Sequence, residues 1–81
     1  MKEDELMKAI HTGYWISDNC IWGPKRSGQY WIDHENKIQG PTHSGEFRIK
    51  GTHIIGRNGD TKFWISDRHI YGPDKTPPWI L

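Results

Sequence analysis

The sequence predicts an all-β fold: four repeated short β-hairpins, about eight strands, in a meander sheet that curls toward a small barrel. An internal repeat is the first reason, because YWISDNCIWGP at residues 14–24 returns as FWISDRHIYGP at residues 63–73. Two degenerate copies between them, YWIDHENKIQGP at 30–41 and FRIKGTHIIGR at 47–57, are the second. The third is an apolar content dominated by Ile and aromatic residues, which suit a pleated, half-buried surface.

The length and charge of the chain limit what it can be. Its 81 residues predict a single domain, 1–81, near the lower size limit for unaided folding. Within it the repeats occupy 13–28, 29–45, 46–61 and 62–78. Eleven Lys and Arg balance ten Asp and Glu, so no strong field favours nucleic acid or an anionic membrane.

The first repeat reads as a hairpin around a two-residue turn at Asp18-Asn19, since both residue types tolerate positive φ. Folding back there places Ile16 opposite Ile21 and Trp15 opposite Trp22. Side chains alternate between the faces of a strand, so the Ile residues share one face and both Trp residues lie on the other.

The other three repeats obey the same register. In each, two Ile residues lie opposite each other. The next pair, one residue further from the turn, is aromatic, polar or mixed. The predicted pairs are Ile32 with Ile38 and Trp31 with Gln39; Ile49 with Ile54 and Arg48 with Ile55; and Ile65 with Ile70 and Trp64 with Tyr71. This agreement among four separate segments is the main support for the hairpins.

A glycine is expected opposite each aromatic residue that begins a repeat, as with Gly23 and Tyr14. A strand glycine packs nothing itself, so the ring can cover its exposed backbone. Proline follows this glycine in three repeats, where its missing N–H ends the strand pairing. These prolines are Pro24, Pro41 and Pro73.

The residues at the two ends of the chain need an interpretation of their own, apart from the repeats. Residues 4–10 predict a short helix with acidic residues in its first turn and Gly13 placed to end it. The alternative is a decayed half-repeat, because His11-Thr12-Gly13 matches the His43-Ser44-Gly45 ending of the second repeat. The last residues, 77–81, are too short for a repeat and are expected to cap the last hairpin.

The Ile face alone is too small a core for a chain of this length. Part of the Trp face is therefore expected to be buried, by curling of the sheet, by the terminal segments or by another molecule. A curled barrel is the preferred architecture, and an open solenoid of stacked hairpins is the alternative.

The sequence favours a protein that is not an enzyme and carries neither metal nor cofactor. Cys20, Lys37, His53 and His69 occupy one repeat column, but Lys37 interrupts any shared metal site. The recurring Asp18, Asp33 and Asp67 lie beside turns, where carboxylates bond the local backbone. The single cysteine lacks an activating motif.

The candidate binding site is the second face of the hairpins, which carries Trp15, Trp22, Trp31, Arg48, Trp64 and Tyr71. We expect either structural filler or a recognition surface here, since Trp, Tyr and Arg dominate interface hot spots. The first functional hypothesis is a small protein-interaction module that binds a protein partner or itself, as a self-associating regulator or inhibitor. The alternative is a glycan- or single-stranded nucleic-acid-binding module that stacks its ligand on the rings.

Three features predict a cytoplasmic protein. The segment MKEDELMKAI is acidic and lacks the apolar region of a secretory signal. No apolar run approaches the ~20 residues of a membrane span. The single cysteine, which leaves no internal disulfide, fits a reducing compartment.

Overall fold

The computed structural model, which describes residues 9–81, is a closed eight-stranded barrel in which every strand pairs antiparallel with its sequence neighbours. The strands are β1 (Ile10–Ser17), β2 (Cys20–Trp22), β3 (Tyr30–Ile32), β4 (Lys37–Gln39), β5 (Phe47–Lys50), β6 (His53–Gly56), β7 (Gly59–Ser66) and β8 (His69–Gly72). The predicted all-β meander is confirmed, and the open solenoid is wrong because β1 pairs with β8. Among the described residues, no helix is long and apolar enough to span a membrane.

The predicted hairpin register is confirmed in all four repeats, with Ile opposite Ile and the Trp-bearing pairs on the outside. The turns explain how the strands fold back so tightly. Asp18 and Asn19 both have positive φ, 53° and 63°, and Asp67 and Arg68 have 51° and 69°. Positive φ at both central residues gives the type I′ turn whose twist matches that of paired strands.

The four hairpins are joined to one another by the same backbone hydrogen bond. In each case the first Ile of a hairpin donates its N–H to a carbonyl in the turn of the preceding hairpin. These bonds are Ile32 N to Asn19 O at 2.7 Å, Ile49 N to Asn36 O at 2.8 Å, Ile65 N to Thr52 O at 2.7 Å and Ile16 N to Arg68 O at 2.8 Å. The last bond joins the fourth hairpin to the first, so the barrel closes with the contact used inside it.

The barrel interior is filled by the same positions of each repeat. Its buried side chains are mainly the leading aromatic residue and the second Ile of each hairpin: Tyr14, Ile21, Tyr30, Ile38, Ile54, Phe63 and Ile70. The first Ile of each hairpin, and Phe47, are only half-buried and pack against this cluster. The core is therefore deepest beneath the aromatic rings and thins toward the hairpin turns.

Each leading aromatic ring lies directly on the glycine opposite it, as the sequence predicts. A Cβ added to Gly23, Gly40 or Gly72 would overlap the ring of Tyr14, Tyr30 or Phe63. At Gly56 the added Cβ would come within 2.9 Å of Phe47, a looser fit. Only a residue without a side chain lets the ring lie this close to the neighbouring strand.

A second repeated contact lies two residues before each ring, where a donor satisfies the carbonyl of the preceding hairpin's second Ile. In two repeats the donor is a glycine amide, from Gly28 to Ile21 O and from Gly45 to Ile38 O, each 2.8 Å. In the other two it is a hydroxyl: Thr61 bonds Ile54 O and Thr12 bonds Ile70 O, each at 2.7 Å. Thr12 thus extends the repeat pattern upstream of residue 13.

The C-terminal segment plugs the end of the barrel that holds the aromatic rings. Trp79 is fully buried and packs edge-on against Phe47 and Phe63, with ring centroids 6.1 and 6.3 Å away. Thr42 donates to the Trp79 carbonyl and in turn contacts the Tyr30 hydroxyl. The segment therefore does more than cap the last hairpin, because it supplies a core residue to three of the four repeats.

The predicted helix over residues 4–10 is wrong at its end, where Ile10 lies in β1 opposite Gly72. Residues 4–8 lie outside the described residues. The strand prevails because β8 offers an unpaired edge to residues 10–12, so backbone hydrogen bonds there complete the barrel. A half-repeat agrees better with the structure, but its alignment shifts by one residue, because Thr12 rather than Gly13 takes the place of Gly45.

Stability should depend on the second Ile of each hairpin more than on the first. Ile54 is 1% exposed, whereas Ile49 is half-buried. We expect Ile54→Ala to lower the free energy of unfolding by about 2–5 kcal/mol and Ile49→Ala by clearly less. Ser66→Ala, at an exposed position, should stay within about 0.5 kcal/mol of the parent in urea melts. An Ile54→Ala variant as stable as Ser66→Ala would refute this description of the core.

Candidate binding surface

The outward-facing rings form a surface on the outside of the barrel. Trp15 and Trp31 are 41% and 49% exposed, and Trp22, Trp64 and Tyr71 are half-buried. We call these five residues the aromatic surface. Their outward position follows from strand alternation, because the residues on either side of each in its strand point toward the core.

Local contacts hold three of the five rings in place. Trp64 stacks on Tyr71, with ring centroids 4.6 Å apart and an interplanar angle of 13°. Trp22 donates its indole N–H to the carbonyl of Ser17 at 3.0 Å, and its ring lies against Gly28. The expected partial burial of the Trp face is thus local, and it leaves Trp15 and Trp31 as the open rings.

The rings of neighbouring hairpins are staggered along the barrel. Trp31 lies opposite Cys20 rather than Trp22, and Trp15 lies opposite His69 rather than Tyr71. This stagger follows from the strand tilt that closure of a small barrel requires. The aromatic surface therefore winds across five adjacent strands, β7, β8, β1, β2 and β3.

His11 belongs beside this surface, although sequence reasoning did not place it there. It pairs with Tyr71 across β1 and β8, and its ring meets Tyr71 edge-on with centroids 4.9 Å apart. Its second neighbour is His69, whose ring centroid is also 4.9 Å away. The available signal was the match of Thr12-Gly13-Tyr14 with Thr61-Lys62-Phe63, which shows that the first repeat begins upstream of Gly13.

Hydrogen bonds assign donor and acceptor roles to the nitrogens of the two imidazoles. The Gly13 amide donates to His11 Nδ1 at 2.8 Å, so that nitrogen carries no proton. His11 Nε2 therefore bears the hydrogen and donates to His69 Nδ1 at 2.9 Å. The pair links β1 to β8 at the seam of the barrel. The same bonds oppose metal binding, because they occupy both nitrogens of His11.

Arg48, which the sequence grouped with the rings, lies two strands away from the nearest of them, Trp31 and Trp64. On β5 it faces Lys37 of β4 and Ile55 of β6. Lys50 points outward from the same strand, two residues further on. We call Lys37, Arg48 and Lys50 the basic patch. The outside of the barrel is thus aromatic over five strands and basic over β4 and β5.

Asp33 serves its own hairpin, as predicted for a carboxylate beside a turn. It accepts hydrogen bonds from the amides of Glu35 at 2.8 Å and Lys37 at 3.0 Å. The side-chain amide of Gln39 donates to its other oxygen at 2.8 Å. These donors, with Gln39 first, hold the pKa of Asp33 below its ordinary value of 3.8. Its charge is directed at local donors rather than at a substrate.

The histidine column does not converge on a metal site. His53 lies 3.4 Å from a carboxylate oxygen of Asp60, while His69 bonds His11. β7 lies between the strands of the two histidines, β6 and β8, so their side chains do not meet. Within residues 9–81 there is no group of three or more ligand-type side chains.

The third repeat, which lacks the proline, borders an open cleft of about 280 Å³. Phe47 lines it together with His43, Glu46 and Arg57. The Glu46 carboxylate lies 3.5 Å from His43 and 3.9 Å from Arg57, so it has local partners. The cleft offers neither a nucleophile beside a base nor a reactive cluster.

Comparison with known proteins found no matching family model, curated protein or solved structure.

The Asp33 contacts predict a measurable titration. Gln39→Ala should raise the pKa of Asp33 toward 3.8, and Gln29→Ala, which removes an exposed amide elsewhere, should leave it unchanged. Carboxyl NMR signals followed against pH would report both. Because the folded-state pKa lies below that of the unfolded chain, Asp33 stabilises the fold above the unfolded value. That contribution is lost as the pH falls through the folded value. An unmoved Asp33 titration in Gln39→Ala would contradict the assigned contact.

Proposed function

We propose that this protein is a non-enzymatic interaction module that binds a protein partner on its aromatic surface. The observation that carries the proposal is the exposure of Trp15 and Trp31 in an aromatic surface that spans five adjacent strands. Exposed apolar patches that are rimmed by polar residues mark interaction sites. Trp and Tyr also provide large contact areas with few rotatable bonds, which favours them at interface centres.

The contacts among the rings support a protein partner over a stacked sugar or base. Trp64 and Tyr71 cover each other's faces, and Gly28 lies against Trp22. A stacking platform needs open ring faces in a row. A protein surface also packs against ring edges, and so it suits this arrangement better. Glycan or single-stranded nucleic acid remains the alternative that the experiments below test.

The other parts of the proposal rest on the same surface and on composition. The titratable groups of residues 9–81 have local partners or stand alone, which supports a role without catalysis. The free Cys20 supports a cytoplasmic location, since that compartment keeps thiols reduced. A second copy of the chain is one possible protein partner, and it would make the module a self-associating regulator or inhibitor.

Selection from a random-peptide display library tests the proposal. We expect enriched peptides whose binding is lost in the double variant Trp15→Ala/Trp31→Ala and kept in Arg57→Ala. Because Trp15 and Trp31 are exposed, the double variant should lose no more than about 1 kcal/mol of stability in urea melts. Peptides that bind the double variant and the parent equally would contradict the proposal.

Two further measurements separate the alternatives. Light scattering during size-exclusion chromatography of the parent and the double variant shows whether the partner is a second copy. Titration of Trp fluorescence with oligosaccharides and with oligothymidylate tests the stacking function. Saturable binding of either ligand, lost in the double variant and without any peptide selected, would favour the alternative.

A further inference from the structure

The basic patch lies at one of the four boundaries between hairpins, and its residues differ from those at the other three boundaries. At each boundary one outward residue of a hairpin lies opposite an outward residue of the next. Three boundaries pair an uncharged or titratable side chain with Trp: Cys20 with Trp31, His53 with Trp64 and His69 with Trp15. The boundary between the second and third hairpins instead pairs Lys37 with Arg48. Two cations directly opposite each other on antiparallel strands are destabilising.

The charges of the patch are poorly compensated within residues 9–81. Neither Arg48 nor Lys50 forms an ion pair there, and both are exposed. Lys37 lies 3.5 Å from Glu35, but both side chains are largely exposed, and such pairs contribute little. Asp33 is occupied by two amides and Gln39, and Asp60 lies 3.4 Å from His53. The patch therefore presents positive charge to whatever approaches β4 and β5.

The patch adjoins the open end of the aromatic surface. Trp31, the most exposed of the rings, pairs with Gln39 on β4, and Lys37 lies two residues away on that strand. Arg48 is on the next strand. With about 4.8 Å between neighbouring strands, Trp31 and Arg48 are on the order of 10 Å apart across the sheet. One short peptide segment crossing the strands would reach both.

Resting on the proposed function, we infer that the partner presents an acidic peptide segment. An apolar or aromatic anchor of the segment packs on Trp31, and its carboxylates bind Arg48 and Lys50. The guanidinium of Arg48 matches a carboxylate with two parallel hydrogen bonds. Nucleic acid fits less well, because its affinity depends on many phosphate contacts and this patch holds three cations.

The test uses peptides that share one anchor. The tightest peptide from the display selection is extended by a run of aspartates in one version and of asparagines in the other. Isothermal titration calorimetry should show the aspartate version binding at least about tenfold more tightly. Added salt should narrow that difference by screening the charges. Oligothymidylate serves as the third ligand.

Matched variants assign the effect to the patch. Arg48→Ala/Lys50→Ala should remove the preference for aspartate. Lys62→Ala/Lys75→Ala removes the same charge from β7 and from the loop after β8, and it should keep the preference. Urea melts of all variants confirm that each is folded.

The outcomes separate this inference from the proposed function. Equal binding of the two peptides, with both lost in Trp15→Ala/Trp31→Ala, overturns the acidic segment and leaves the interaction module standing. Tighter binding of oligothymidylate than of the aspartate peptide overturns it in favour of nucleic acid. A preference for aspartate that survives Arg48→Ala/Lys50→Ala overturns the assigned patch. Failure to select any peptide counts against the proposed function itself.

Discussion

The barrel depends on the contact between an aromatic ring and the glycine opposite it, made once in each hairpin. Where the ring lies on bare backbone, as Tyr30 does on Gly40, the two strands of the hairpin pack closely around a small interior. Four such contacts give a ring of aromatic side chains at one end of the barrel, and Trp79 packs onto it. The inward Ile residues then fill the space below. Larger side chains at these glycines would force the rings outward and separate the strands.

The repeat made most of this fold predictable. The hairpin register followed from residues alone, because four segments place Ile opposite Ile and a ring opposite glycine. Closure of the barrel was harder to predict from the sequence, since the contact between β8 and β1 joins the two ends of the chain. The signal for it was Thr12, whose hydroxyl takes the role that the Gly28 amide has elsewhere. The role of Trp79 lay beyond a repeat argument, because no other part of the chain has an equivalent.

The candidate site was predicted in part. Strand alternation placed the five rings and Arg48 outside, but it did not give the distance between Arg48 and the rings or join the rings to His11. Both depend on which hairpins are neighbours and on the stagger between them, and these are properties of the closed barrel. The repeat also explains why the aromatic side of the barrel can differ from the basic side. Inward positions are constrained by packing in all four hairpins, whereas outward positions tolerate Trp in one hairpin and Arg in the next.

The glycine–ring contact is tested most directly by adding one methyl group beneath a ring. Gly72 has no positive φ, so Gly72→Ala adds no backbone strain and only places a Cβ against Phe63. Urea unfolding should show a loss of about 1–3 kcal/mol or more, as for an overpacked core. Gly56→Ala should lose less, because the fit against Phe47 is looser. A Gly72→Ala variant as stable as the parent would contradict the account, since the barrel would then not depend on this contact.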